Sequence, residues 1–171
     1  MDLEVILLRL VHIFAGVFWV GGGALFFLYI EPAVRATAPE SAKFMQHLMA
    51  RGKYSLAMTI ASGLTILAGA WLYWRDTAGF TSNWIASRPG IGFTIGAVIG
   101  ILTFIFGILV MKRNADRLAA LGKEIQAAGG PPKPEQLTEL ERVQNVLSMA
   151  GKINFVLLII ALGIMATARY W

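Results

Sequence analysis

The chain has 171 residues, 57% of them hydrophobic and 15% charged, with a mean hydropathy of +0.64, a composition that points to an integral membrane protein. The length suits one compact bundle and leaves no room for a separate soluble domain of ordinary size. The absence of cysteine excludes disulfides, thiolate metal sites and cysteine nucleophiles. The net charge of +5 sits in connections that flank apolar runs, which fits membrane topology and argues against a nucleic-acid partner.

Four runs are long enough to cross a hydrocarbon core, which needs about 20 residues as helix. They cover about residues 5–30, 54–74, 90–111 and 151–170. Asp2 and Glu4 precede the first run, and the run is longer than a signal-peptide core, so it is expected to stay in the protein. The first and third connections carry eleven Lys and Arg, the second only two. The positive-inside rule then places connections one and three in the cytoplasm and both termini outside. Trp71, Tyr73, Trp74, Trp84, Tyr170 and Trp171 collect at the outer boundary, as an interfacial aromatic belt does.

The first span begins "LRLVHIFAGVFWVGGG", with Arg9 and His12 inside an apolar run. Ionisable groups there are costly and tend to face a bundle interior or polar cavity, so they are functional candidates. Steps of three and four residues put Arg9, His12, Gly16, Trp19 and Gly23 on one stripe. Small residues would clear a space, Trp19 would bound it, and His12 would point in as a ligand. That is how a bundle accommodates a flat cofactor such as haem b, with Arg9 near its anionic propionates. The structural alternative has His12 bonded to a neighbouring helix and Arg9 reaching for headgroups. His47 cannot share a haem with His12, because the helix from His12 to Ile30 alone rises roughly 27 Å. "MQHLM" suggests a Cu(I) site, but Met45 and Met49 share a helical face that His47 does not.

The second span offers Ser55, Thr59, Ser62 and Gly69 on one face, and their hydroxyls are expected to bond nearby backbone carbonyls. In the third span Gly92, Gly96 and Gly100, then Thr103 and Gly107, form a small-residue face for close helix packing. Between about residues 112 and 150, Leu118, Leu121 and Ile125 form one stripe, "GGPPKP" turns the chain, and Leu137, Leu140 and Leu147 form another. A cytoplasmic helical hairpin is expected there, packing on itself or docking a partner. "PESAKFMQHLMARGK" reads as a helical lead-in to span two, starting at Pro39. Arg51-Gly52-Lys53 before the second span and Ala150-Gly151-Lys152 before the fourth, with Tyr-Trp closing each span, suggest a duplicated hairpin. Both lysines are expected to snorkel.

"HIFAGVFWVGG", Pro32 after the first span and "SGLTILAGAWLYW" in the second resemble the CopD-like (copper resistance D) family of small membrane proteins and, more distantly, the HemJ-type protoporphyrinogen oxidases. The resemblance covers about the first 75 residues. It implies a four-helix bundle in the bacterial cytoplasmic membrane and a haem ligand at His12. HemJ-type chains follow the first span with Pro-Arg-Leu, whereas Pro32 here precedes Ala33 and Val34, which counts against porphyrinogen oxidation.

The sequence therefore predicts an all-α integral membrane four-helix bundle with cytoplasmic helical extensions. His12, Arg9, Gly16 and Trp19 are the candidate cofactor-binding residues, with His12 as metal ligand and no catalytic residue assigned. Three functions follow: a haem b redox protein, a copper transport or resistance protein, and a cofactor-free scaffold subunit. The scaffold would meet other membrane subunits through its glycine faces or hairpin. Whether the protein is an enzyme is left open. No phosphate loop or nucleophile with its base is visible in the spans, so a hydrolase or ATP-driven pump is not expected.

Overall fold

The computed structural model describes residues 2–38, 40–81 and 83–171, and contains no strand among them. Helix α1 spans Leu3–Ala36. A short helix, α2, at Ala42–Gln46 continues as a widened π-turn, His47–Arg51. Helix α3 spans Tyr54–Asp76, α4 spans Arg88–Ala127, and α5 spans Pro134–Thr167, ending in a 3-10 turn. Pro39, the expected start of the lead-in, lies outside the described residues. Helices α1, α3, α4 and α5 are long and apolar enough to cross a membrane.

Local chemistry sets the helix ends. The Asp2 carboxylate accepts from the Glu4 amide at the start of α1, and the Ser87 hydroxyl accepts from the Gly90 amide at the start of α4, where Pro89 suits the first turn. Gly129 adopts φ +65° just past α4, a left-handed conformation that costs glycine little. The two prolines that follow then prevent the helix from resuming. Helix α1 widens to a π-turn at Phe26–Ile30 and α4 at Gly107–Lys112, so three of these insertions lie towards one end of the bundle.

Helix α1 packs chiefly on α3, and α4 chiefly on α5, giving two antiparallel pairs. They meet where Trp19 of α1, Ala61 of α3 and Leu158 of α5 are buried together, with Val20, Met58, Ile66 and Phe104 around them. Small residues allow the close approaches: a Cβ added to Gly96 would lie 2.6 Å from Met165 Cγ, and one added to Gly151 would lie 2.0 Å from Phe27 Cε1. As expected, Thr59 donates to the Ser55 carbonyl and Ser62 to that of Thr59; Thr103 likewise donates to Ile99, whereas the Ser55 hydroxyl finds no such carbonyl among the described residues. The outward faces carry exposed Phe14, Leu67, Leu109 and Ile160, as lipid contact requires.

Beyond the apolar spans, α4 and α5 continue as a hairpin that packs on itself. Leu121 is 2% exposed and Val143 fully buried. Arg117 bridges from α4 to Glu139 of α5 at 3.5 Å. Hydrogen bonding from Arg142, with Arg117 adding to it, holds the Glu139 carboxyl below the usual carboxylate range. At the opposite end the aromatic residues gather: Trp71 lies 5.6 Å from Trp74, and Tyr73 lies 5.9 Å from Trp84, which stacks on Phe93.

Candidate functional site

His12 sits in the seam between α1 and α3. Its Nδ1 lies 2.8 Å from the Thr65 carbonyl oxygen. A carbonyl can only accept, so Nδ1 carries the proton of this contact, and in the neutral imidazole the lone pair is then on Nε2. The ring is seated in a notch at Gly69, where an added Cβ would lie 2.7 Å from His12 Cε1 and 2.8 Å from Nδ1. An unbranched α3 backbone at this point is what lets an imidazole fit between two helices. His12 remains half-buried, so the seam does not close completely around it.

Of the residues predicted to share this site, Gly16 and Trp19 face the same seam. Gly16 borders Thr65, whose Cγ2 would lie 3.5 Å from a Cβ added to the glycine. Trp19 is 8% exposed and packs with Ala61 and Leu158. Side chains of α3 and α5 thus occupy the space beside Gly16 and Trp19. Gly23 has nothing within 4 Å of an added Cβ. Arg9 is exposed on the flank of α1 and makes no hydrogen bond or ion pair among the described residues.

The seam is tied at both ends. Towards the N-terminus, Glu4 accepts from Trp71 Nε1 and Arg75 Nη1, each at 2.7 Å, and Arg75 also bridges to Asp2. Towards the other end, the Tyr54 hydroxyl donates to the Gly22 carbonyl at 2.8 Å. These contacts hold α1 against α3 along the whole stretch that carries His12.

His47 is exposed on the π-turn after α2. Among the described residues, no three His, Asp or Glu side chains gather into a group that could hold a metal ion. The donor His12 therefore offers is a single imidazole nitrogen, backed by a carbonyl that fixes its tautomer. Such a group can ligate one metal position or accept a proton.

Two polar atoms that the sequence reading passed over also lie inside the bundle. Glu31 Oε2 and Asn154 Oδ1 are buried without a hydrogen-bond partner among the described residues; the second oxygen of Glu31 accepts from Arg35 at 3.0 Å. Glu31 could have been flagged as the acidic residue immediately before Pro32 at the end of an apolar run. Asn154 could have been flagged as the one amide side chain within the fourth span.

No curated protein and no solved structure matches the chain. A family model described as "Predicted integral membrane protein (DUF2269)" matches residues 6–167, a stretch that includes the His12 seam, both helix pairs and the hairpin. The chain belongs to this DUF2269 family of predicted integral membrane proteins.

Proposed function

We propose that this integral membrane protein binds a haem through His12 and serves electron transfer near the end of the bundle that carries the chain termini. The observation that carries this reading is the 2.8 Å contact between His12 Nδ1 and the Thr65 carbonyl. Ligating histidines commonly donate their second ring nitrogen to a carbonyl or carboxylate, which fixes the tautomer and raises the basicity of the ligating nitrogen. Support also comes from the resemblance of "HIFAGVFWVGG" to the CopD-like and HemJ-type families.

His12 would hold the group through Nε2, the ring nitrogen that the Thr65 carbonyl leaves free. Thr65, Ala61 and Leu158 fill the seam beside Gly16 and Trp19, so a haem would be held through His12 without entering that part of the seam. Arg9, one turn from His12 and without a carboxylate partner among the described residues, is the cation available for an anionic propionate. When bound, the haem would supply one-electron chemistry. The chain's own contribution would be to fix the tautomer through the Thr65 carbonyl, orient the ring in the Gly69 notch, and offer Arg9 to the propionates.

A cofactor-free scaffold is the competing reading, favoured by how closely the His12 ring fills the notch at Gly69. The absorption spectrum of the detergent-purified protein separates the two, and metal analysis of the same sample tests copper. A Soret band, present on isolation or after adding haemin, is the expected result. Folded, colourless protein that ignores haemin would leave the scaffold reading, or the copper reading if copper is bound in stoichiometric amount.

A further inference from the structure

At the hairpin end, a cavity of about 290 Å³ opens between the π-turn after α2, the first turns of α3 and the inner part of α4. Its lining is divided by chemistry. Lys53, Lys112 and Ser55 line it beside Met49 and Leu56, which brings two cationic residues and a hydroxyl residue next to an apolar pair. The Lys112 ammonium is 2.6 Å from the Asp116 carboxylate, which shares the lining. Lys53 and the Ser55 hydroxyl have no hydrogen-bond or ion-pair partner among the described residues. Thr59, also in the lining, spends its proton on the Ser55 carbonyl and can still accept a bond.

We infer that this cavity is a binding site for the phosphodiester headgroup of an anionic glycerophospholipid. An ammonium without a carboxylate, a second ammonium held in place by Asp116 and a free hydroxyl make an oxyanion site with one net positive charge. The first turn of α3 has no side-chain cap, so the positive end of its dipole adds to the same field. The Met49 and Leu56 wall favours a lipid over free phosphate, since inorganic phosphate has no apolar part to bury. The cavity also lies at the junction of apolar span and basic connection, at the end the lysine and arginine count assigns to the cytoplasm. Anionic headgroups reside at that level, and basic pockets between spanning helices are suited to them.

The site differs from a general attraction of basic residues to the membrane because it requires two particular lysines. Lys123 and Lys133 are exposed on the hairpin and lie outside the cavity, so their removal lowers the same net charge without touching the site.

The test is native mass spectrometry of the full chain released from detergent after incubation with phosphatidylglycerol, phosphatidylcholine or inorganic phosphate. The wild type is expected to retain one phosphatidylglycerol in preference to phosphatidylcholine. The Lys53→Ala/Lys112→Ala double variant should lose roughly tenfold or more of that retention. The Lys123→Ala/Lys133→Ala variant should keep it, and Lys53→Arg should keep most of it. Matched thermal unfolding in detergent shows that each variant is folded. Equal retention of the two lipids would overturn the proposal, as would equal loss in the two double variants. Displacement of phosphatidylglycerol by millimolar phosphate would reassign the cavity to a free anion and also overturn the lipid assignment.

Discussion

The imidazole of His12 on α1 donates to the backbone carbonyl of Thr65 on α3 at 2.8 Å while its ring edge rests in the notch at Gly69. One side chain thereby ties the two spanning helices between the contacts of Glu4 and Tyr54 at the ends of the seam. Replacing His12 with Ala removes one hydrogen bond and leaves a gap, a loss of about 1–2 kcal/mol. Gly69→Leu drives a side chain into the ring and should destabilise the fold more than His12→Ala does. Thermal unfolding of both variants in one detergent checks the order. If Gly69→Leu is as stable as wild type, the seam is not packed as described.

The α4–α5 pair gives a sharper contrast between adjacent residues. Gly96→Leu must displace Met165, because even a Cβ would lie 2.6 Å from its Cγ, so assembly of the bundle should suffer. Ile95 is 40% exposed and should accept Leu with a change below about 0.5 kcal/mol. Unfolding temperatures in detergent are the measurement, and equal values would remove the packing argument.

Where the hairpin leaves the membrane, burial from water should control stability. Leu121→Ala should cost about 2–5 kcal/mol, the usual range for a buried Leu. Leu137 is 51% exposed, and its exchange to Ala should be close to neutral. Protease cleavage near the Gly129–Gly130 turn reports local opening and should accelerate in the first variant only. Equal cleavage rates in the two would show that the hairpin is held by something other than its buried face.

The membrane orientation expected from the charge count can be checked directly. A reporter fused after Trp171 should be active only in its outward-facing form, given eleven basic residues in connections one and three against two in connection two. Activity of a cytoplasmic reporter at that position would reverse the bundle and move His12 to the inner half.

Much of the fold was legible because hydropathy reports burial in lipid directly. The four spans, the hairpin with Leu121 at its buried face and the exposed position of His47 follow from apolar periodicity and chain breaks, but of the stripe expected on the returning helix Leu137 is exposed and Val143 is buried in its place. The small-residue repeat of α4 made Gly92 and Gly96 legible as packing positions against Ala168 and Met165, but Gly107, expected on the same face, has nothing within 4 Å of an added Cβ. The partner of His12 was not legible, since Thr65 and Gly69 lie 53 and 57 positions along the chain and only the helix pairing brings them together. Gly16 reads in sequence as cleared space, whereas Thr65 occupies that space; composition along one helix does not reveal what its neighbour inserts. The π-turns were invisible for a similar reason, because one extra residue in a helical turn leaves the hydropathy pattern almost unchanged.

Haem ligation by His12 is tested by the absorption spectrum of a His12→Gly variant, recorded after incubation with haemin, with and without added imidazole. Wild type should show a Soret band, His12→Gly should lose it, and free imidazole should restore it by taking the vacated ligand position. A wild-type protein that purifies folded and never binds haemin, or a His12→Gly variant with an unchanged spectrum, would contradict the assignment of His12 as the ligand.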